Sequence, residues 1–354
     1  MMMGQNWKMR RIESKNWVGW MIRSNHRKLL TIVSIALVCY AWLDKELMWN
    51  ERKGRSLMGS NVEVKGGEGR PMLKLQIQGR LGNAIYQYAV GMAIAKKNEM
   101  DLCSDSPAGL YFLAGMFDGP FIRCPDDLKH DYEWNPRVVK IDELVRQPGD
   151  LRNVRMKDFY FNNVTLFQPA YQEIISTFAI QSQHIEKAKT IMAEKADPSS
   201  FITVGVHARY GDKGEDQHWI TAGYDYYNDA MEFAVETIRK SLVQQNSTKE
   251  IRFLVATEPQ DVEWFDSLNL PFTSQIVHIG QDAFVDMSVL TLCDHLILSE
   301  GTYTFFAGWL AQYGASRNKQ NDNTRHIFYH PNYFAPVIGY NSPPDSSWTP
   351  VNTN

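Results

Sequence analysis

From residue 201 onward the sequence alternates short apolar runs with helical segments, and this constrains the fold more than any other feature. Phe201–His207 (FITVGVH) has the continuous apolar texture of a strand buried on both faces, and a helix is expected over 224–241. The pattern then repeats: strand 251–256, helix 259–267, strand 275–279, helix 282–293, strand 295–299, helix 303–313, strand 326–329. Such alternation predicts a parallel α/β sheet covered on both faces, with ligands at the carboxyl ends of its strands. An earlier unit has the same form. Residues 72–78 (MLKLQIQ) alternate like a strand, and a glycine turn follows at 79–83. A helix comes next, placing Ile85, Tyr88, Ala89, Met92 and Ala93 on one face. Between 101 and 200 only one helix, 171–195, stands out, and 310–325 and the tail after Asn341 are expected to be loops.

The first 71 residues have a different character. Net charge over all 354 residues is −3, but residues 1–28 carry +6, leaving −9 on the remainder. A nearly neutral total excludes a generally basic nucleic-acid binder, and 44% apolar residues exclude a disordered chain. Directly after Lys28, residues 29–43 (LLTIVSIALVCYAWL) contain no charge. As a helix they rise about 22 Å, short of the ~30 Å hydrocarbon core, with Lys28 able to snorkel and Trp42 and Trp49 suited to the interface. A single-pass anchor with a cytosolic tail is expected, in preference to a buried core helix or a cleaved signal peptide. Residues 44–71 then form a polar stem, and the sequons at Asn163 and Asn246 accord with a lumenal body. With Cys39 in the apolar segment, Cys103, Cys124 and Cys293 cannot all pair internally; Cys103–Cys124 is the expected bond.

The residues that could carry chemistry cluster where strands end. His207-Ala208-Arg209-Tyr210-Gly211-Asp212 follows the first strand of the second unit, and Arg209 offers a planar donor fork for phosphate or carboxylate. Gly82 and Asn83 sit in the first glycine turn, where helix N-terminal amides suit an anion or a sugar hydroxyl. Gly301, Thr302 and Thr304 open another helix after a strand, and simple capping by Thr302 explains that motif about as well. The chain contains no Asp-x-Asp, Walker A loop, H-E-x-x-H, C-x-x-C or G-x-S-x-G, so no metal ligand set is assigned.

Together these segments resemble glycosyltransferase family 11, the α-1,2-fucosyltransferases. GRLGNAIYQYA (79–89) is similar to the family's GRLGNQ-x-[FY]-QYA, and VGVHARYGDK (204–213) to its VxVHVRRGD. DMSVLTLCDH (286–295) and GTYTFFAGWL (301–310) resemble two later segments, in the same order. Three departures stand out: Ala84 for glutamine, Ala208 for valine, and Tyr210 for the second arginine of the pair.

The resemblance implies a GT-B-like fold of two Rossmann-like halves, 72–200 and 201–340, with a cleft between them and a tail at 341–354. It also implies a type II Golgi membrane protein with its catalytic domain in the lumen. The implied reaction is inverting, metal-independent transfer of L-fucose from GDP-fucose to the 2-hydroxyl of a galactose-type residue on a glycan. No cofactor is implied. Donor contacts would come from Gly82, Asn83, His207, Arg209, Gly211, Asp212, Gly301, Thr302 and Thr304. Glu215, Asp216 and Asp286 are the candidate bases, and the sequence does not choose among them. The alternatives are an inactive sugar-binding relative and a GDP-fucose enzyme of different linkage, α-1,6 or protein O-fucosylating.

Overall fold

The computed structural model describes residues 70–130, 132–134, 153–156, 167, 170–211, 222–299, 301–314, 325–329 and 348–351. The basic tail, the apolar segment 29–43, most of the stem and Asn163 lie outside the described residues. Among the described residues no helix is long and apolar enough to cross a membrane.

The first unit is a four-stranded parallel sheet of β1 (Met72–Leu75), β2 (Asp101–Ser104), β3 (Tyr132–Trp134) and β4 (Asn153–Met156), in the order β2-β1-β4-β3. β1 is shorter than the alternation predicts, though Gln76 N–H still donates to the Met156 carbonyl at 3.0 Å. Helix α1 (Leu81–Lys97) follows the glycine turn, and α2 (Pro107–Met116) follows β2. α1 differs from the one-faced helix expected of its pattern: 13 of its 17 residues are buried, while Met92 is only partly so. Gly91 makes this possible, because an added Cβ would lie 2.5 Å from Leu75 Cδ1 on β1. A Cys103–Cys124 disulfide ties β2 to the segment after α2, as expected, and Cys293 is a buried free thiol.

The expected helix over 171–195 is two helices, α3 (Tyr171–Thr177) and α4 (Ser182–Lys195). Phe178-Ala179-Ile180-Gln181 contains no intrinsic breaker; packing interrupts it. Phe178 is buried against Phe117, with ring centroids 5.1 Å apart. Asp118 N–H donates to the Ala179 carbonyl at 2.9 Å, and Gln181 N–H to that of Met116 at 3.0 Å.

The second unit is a six-stranded parallel sheet: β5 (Phe201–His207), β6 (Glu250–Ala256), β7 (Ile276–His278), β8 (His295–Leu298), β9 (Ile327–Tyr329) and β10 (Thr349–Pro350). Its order, β10-β9-β8-β5-β6-β7, is the 3-2-1-4-5-6 order of doubly wound nucleotide-binding sheets seen from the other edge. The tail after Asn341 is therefore more than a loop: β10 pairs with β9, and Trp348 is buried, its Nε1–H donating to Gln312 Oε1 at 2.8 Å.

Helices α5 (Tyr224–Gln244) and α6 (Val262–Ser267) follow β5 and β6, and α7 (Ala283–Leu292) and α8 (Thr302–Tyr313) follow β7 and β8. Val204, Val206, Phe253 and Val255 pack on the α5 side of the sheet. Leu254, Leu296 and Leu298 face the other side and share one continuous core with α7, α8 and the first unit. This division follows from the two-residue period of a strand. Gly205 lets α7 approach β5, since a Cβ there would lie 2.9 Å from Leu290 Cδ2 and 3.1 Å from Cys293 Sγ. The two sheets thus belong to one compact unit within 58–354, joined through α1, α7 and α8.

Candidate functional site

β5 and β8 are neighbours in the second sheet, but β5 continues toward β6 on one side while β8 continues toward β9 on the other. The crevice beyond their carboxyl ends is the topological switch point, where ligands of such sheets bind. The two motifs found at strand ends, His207–Arg209 and Ser299–Thr304, meet there. His207 Nδ1 lies 2.6 Å from Ser299 Oγ and also hydrogen-bonds Thr304 Oγ1; the two hydroxyls are 3.3 Å apart. All three side chains are buried. Thr304, one of the expected donor contacts, has its hydroxyl turned inward, where it holds the His207 ring. Two tyrosines in the first turn of α5 secure the strand ends: Tyr226 donates to the Leu298 carbonyl, and Tyr227 to that of His207 at 3.4 Å.

The glycine turn of the first unit arrives at the same place. Gly79 has φ +86°, a left-handed conformation suited to glycine, and Gln78 N–H donates to buried Gln87 Oε1 at 2.8 Å. Gly82 touches the start of α8 so closely that a Cβ would lie 2.3 Å from Tyr303 N and 2.6 Å from Tyr303 Cα. Thr302 does not cap its own helix; its hydroxyl donates to Asn83 Oδ1 at 2.7 Å, while Gly301, with φ +112°, occupies the N-cap. The starts of α1 and α8 therefore abut. Neither has a side-chain cap or an acid in its first turn, so two positive helix ends converge. An exposed ion pair between Arg80 and Glu258 spans the two units beside this seam.

Arg209 is half-buried, two residues beyond β5, and Tyr303 lies against His207 with ring centroids 5.1 Å apart. The backbone amides of Tyr210 and Gly211 donate to Asp261, and Tyr210 stacks on Trp264. Asp212, Glu215 and Asp216 lie outside the described residues. Asp286, the third candidate base, sits in the first turn of α7, 7% exposed, and accepts from Gln281 N–H at 3.2 Å. Burial pushes its pKa up to about 7, with the charge of Asp282 adding to the rise. Tyr303 reaches the same turn, donating to the Ala283 carbonyl at 2.7 Å. Among the described residues no group of three or more His, Cys, Asp or Glu side chains could hold a metal ion. Asn246 is exposed just past α5.

Gln87, Glu258, Asp261 and Trp264 were not singled out for the site from sequence. Gln87 lies within the first family-like block, but the other three follow β6 in a segment without a motif, so only their position at a strand end could have drawn attention to them.

Known proteins resemble this chain at several levels. Galactoside alpha-(1,2)-fucosyltransferase 1 of Alouatta belzebul is 26% identical over 249 residues, covering 66% of this chain and 63% of that protein. The protein of the same name from Leontocebus fuscicollis is 26% identical over 291 residues, covering 77% and 75%. The match to the first of these thus spans less than two thirds of the relative's length. Among solved structures, fucosyltransferase NodZ from Bradyrhizobium superposes with a TM-score of 0.44 at 12% identity, covering 70% of this chain and 94% of that one. POFUT1 in complex with GDP-fucose gives 0.45 at 11%, covering 75% and 99%. The glycosyl transferase family 11 model matches residues 149–325, which hold the Arg209 loop, the 286–295 segment and the start of α8, but not the turn at 79–83. That match spans half of the sequence, and the chain belongs to glycosyl transferase family 11.

Proposed function

We propose that the chain is a galactoside 2-α-L-fucosyltransferase, moving L-fucose from GDP-fucose to the 2-hydroxyl of a galactose-type residue with inversion. Family membership supports glycosyl transfer, the name of the curated relatives supplies fucose and the α-1,2 linkage as an expectation, and the GDP-fucose donor comes from the sequence resemblance. The observation that carries the reading is the convergence of two uncapped, acid-free helix starts beside the loop that holds Arg209. The leaving GDP accumulates negative charge as the glycosidic bond breaks. Preorganised amide dipoles and a guanidinium stabilise that charge without reorganising. Each helix end contributes about 0.3–1 kcal/mol at an exposed site and up to ~2 kcal/mol in a partly buried one.

The acceptor hydroxyl must lose a proton. Asp286 stands in the α7 turn that Tyr303 reaches from the start of α8, and its pKa of about 7 suits a general base near neutral pH. On this assignment kcat falls as pH drops below about 7, and Asp286→Asn removes that limb. A pH profile left unchanged by Asp286→Asn excludes the role.

In the full reading the chain is a type II Golgi membrane protein anchored by 29–43, with its body in the lumen. The Cys103–Cys124 bond is compatible with that oxidising compartment. The decisive assay incubates the full chain with GDP-fucose and a galactoside, followed by linkage analysis. The α-1,2 product is expected, and Arg209→Ala should lower turnover by roughly 10³-fold or more without unfolding the protein. Near-wild-type turnover in that variant contradicts the assignment. An α-1,6 or protein-linked product corrects the linkage, and EDTA inhibition reversed by manganese contradicts metal independence.

A further inference from the structure

The family-like loop here carries one arginine where the pattern has two, with Tyr210 in the second place. Three contacts hold the two residues that follow Arg209. Asp261, 3% exposed, accepts from Tyr210 N–H at Oδ2 (2.9 Å) and from Gly211 N–H at Oδ1 (3.0 Å). The Tyr210 ring stacks on Trp264, centroids 4.9 Å apart and planes 22° from parallel. Trp264 in turn meets Tyr227 edge-on, and Tyr227 donates to the His207 carbonyl. Gly211 sits at φ +28°, a backbone conformation that favours glycine, and a Cβ there would make only ordinary contact with Asp261, 3.5 Å from Oδ2.

We infer that Asp261 and Trp264 are positioning residues for Arg209, clamping the loop through the backbone and ring of Tyr210. This rests on the donor role of Arg209 proposed above. The physical reason is preorganisation. A long arginine side chain on a loose loop loses much freedom on gripping an anion, whereas a loop fixed on both backbone and ring has already lost most of it. The clamp is attached after β6 and the cation after β5, so neighbouring strand ends set their relative placement. Tyr210 is thus a replacement with its own partner: it remains 37% exposed, yet one ring face is covered by Trp264. The second cation gives way to a stacked aromatic, and donor recognition rests on how firmly Arg209 is held.

The test is steady-state kinetics of the full chain with varied GDP-fucose and varied galactoside, beside GDP titration by tryptophan fluorescence. Tyr210→Ala, Trp264→Ala and Asp261→Asn should each raise donor KM and GDP Kd about tenfold, with kcat and acceptor KM changed less than about threefold. Tyr210→Phe and Trp264→Phe keep the stack and should recover most of the lost affinity. Unchanged donor KM in Tyr210→Ala, or acceptor KM and kcat moving in step with donor KM, overturns the inference alone. A wild-type chain that neither transfers fucose nor binds GDP overturns the functional reading and the inference with it.

Discussion

The two sheets are built on the same parallel plan but maintain themselves differently. The six-stranded sheet encloses its own apolar layer on the α5 side, and its seven-residue interior strands β5 and β6 pair along their whole length. The four-stranded sheet has strands of three or four residues, and its central helix α1 is buried against α8 of the other unit as well as against its own β1. It has a disulfide, which closes a loop with a sequence separation of 21. A sheet of short strands completes its core by borrowing a neighbour's surface and a covalent staple. A consequence for function follows: the surface that stabilises the first unit also brings the starts of α1 and α8 together.

Breaking that seam should have the largest effect. Gly82→Val forces a side chain into the Tyr303 backbone, and moving two packed helices should cost about 3 kcal/mol or more. Thermal melting should fall by roughly 6–12 °C, with loss of transfer. Gly223→Ala, at the N-cap of α5 where nothing lies within 4 Å of the added carbon, is the control, and its melting should fall by no more than about 3 °C, the cost of alanine at a helix N-cap. Equal melting of the two variants would mean that the seam is not tight.

Removing the staple tests the first unit alone. Cys103→Ser with Cys124→Ser should cost about 3 kcal/mol through the loosened unfolded chain. The loss should show as early hydrogen exchange in β1, β2 and α1, with β5 and β6 still protected. Uniform loss of protection would show that the two sheets unfold as one.

The second unit should respond to pH through His295. It is buried and stacked on His326, whose backbone N–H donates to its Nδ1 at 3.1 Å. Burial lowers its pKa to about 3, with the nearby His326 and Arg325 charges adding to the drop. Between the folded value and the ordinary one near 6.5, the unfolded state binds the extra proton, so stability falls as pH falls through that window. From pH 7 to pH 5 the loss should be about 2 kcal/mol in urea unfolding, and His295→Phe should flatten the dependence. A parent curve that is already flat over that range removes His295 as the cause.

Much of the second unit was legible in the sequence. Strand 201–207 has the predicted limits, and the other elements from 224 to 313 fall within about three residues of theirs. Period and punctuation suffice where a strand is buried on both faces and each helix has one apolar side. The misses have tertiary causes. The break at 178–181 is imposed by Phe117 and Met116, the burial of α1 by α8, and the pairing of Thr349–Pro350 by an open edge at β9. The ends of the site were legible at Arg209, Gly82, Asn83 and Thr302, since each sits at a strand-to-helix turn. The inward hydroxyl of Thr304 was not, because helix spacing alone does not say which neighbour a buried hydroxyl meets.

By itself, then, the sequence determined the alternating α/β plan, the charge split at the N-terminus, the strand-end motifs and the family resemblance. These rest on local periodicity and on short runs of residue types, which act over one or two elements. Only the tertiary structure decided that two glycine turns 219 residues apart meet through Thr302 and Asn83. It alone decided, too, that Asp261 and Trp264 hold the loop beyond Arg209. Such contacts depend on which strand ends become neighbours. Strand order is chosen by the packing of whole faces rather than by any local run of sequence.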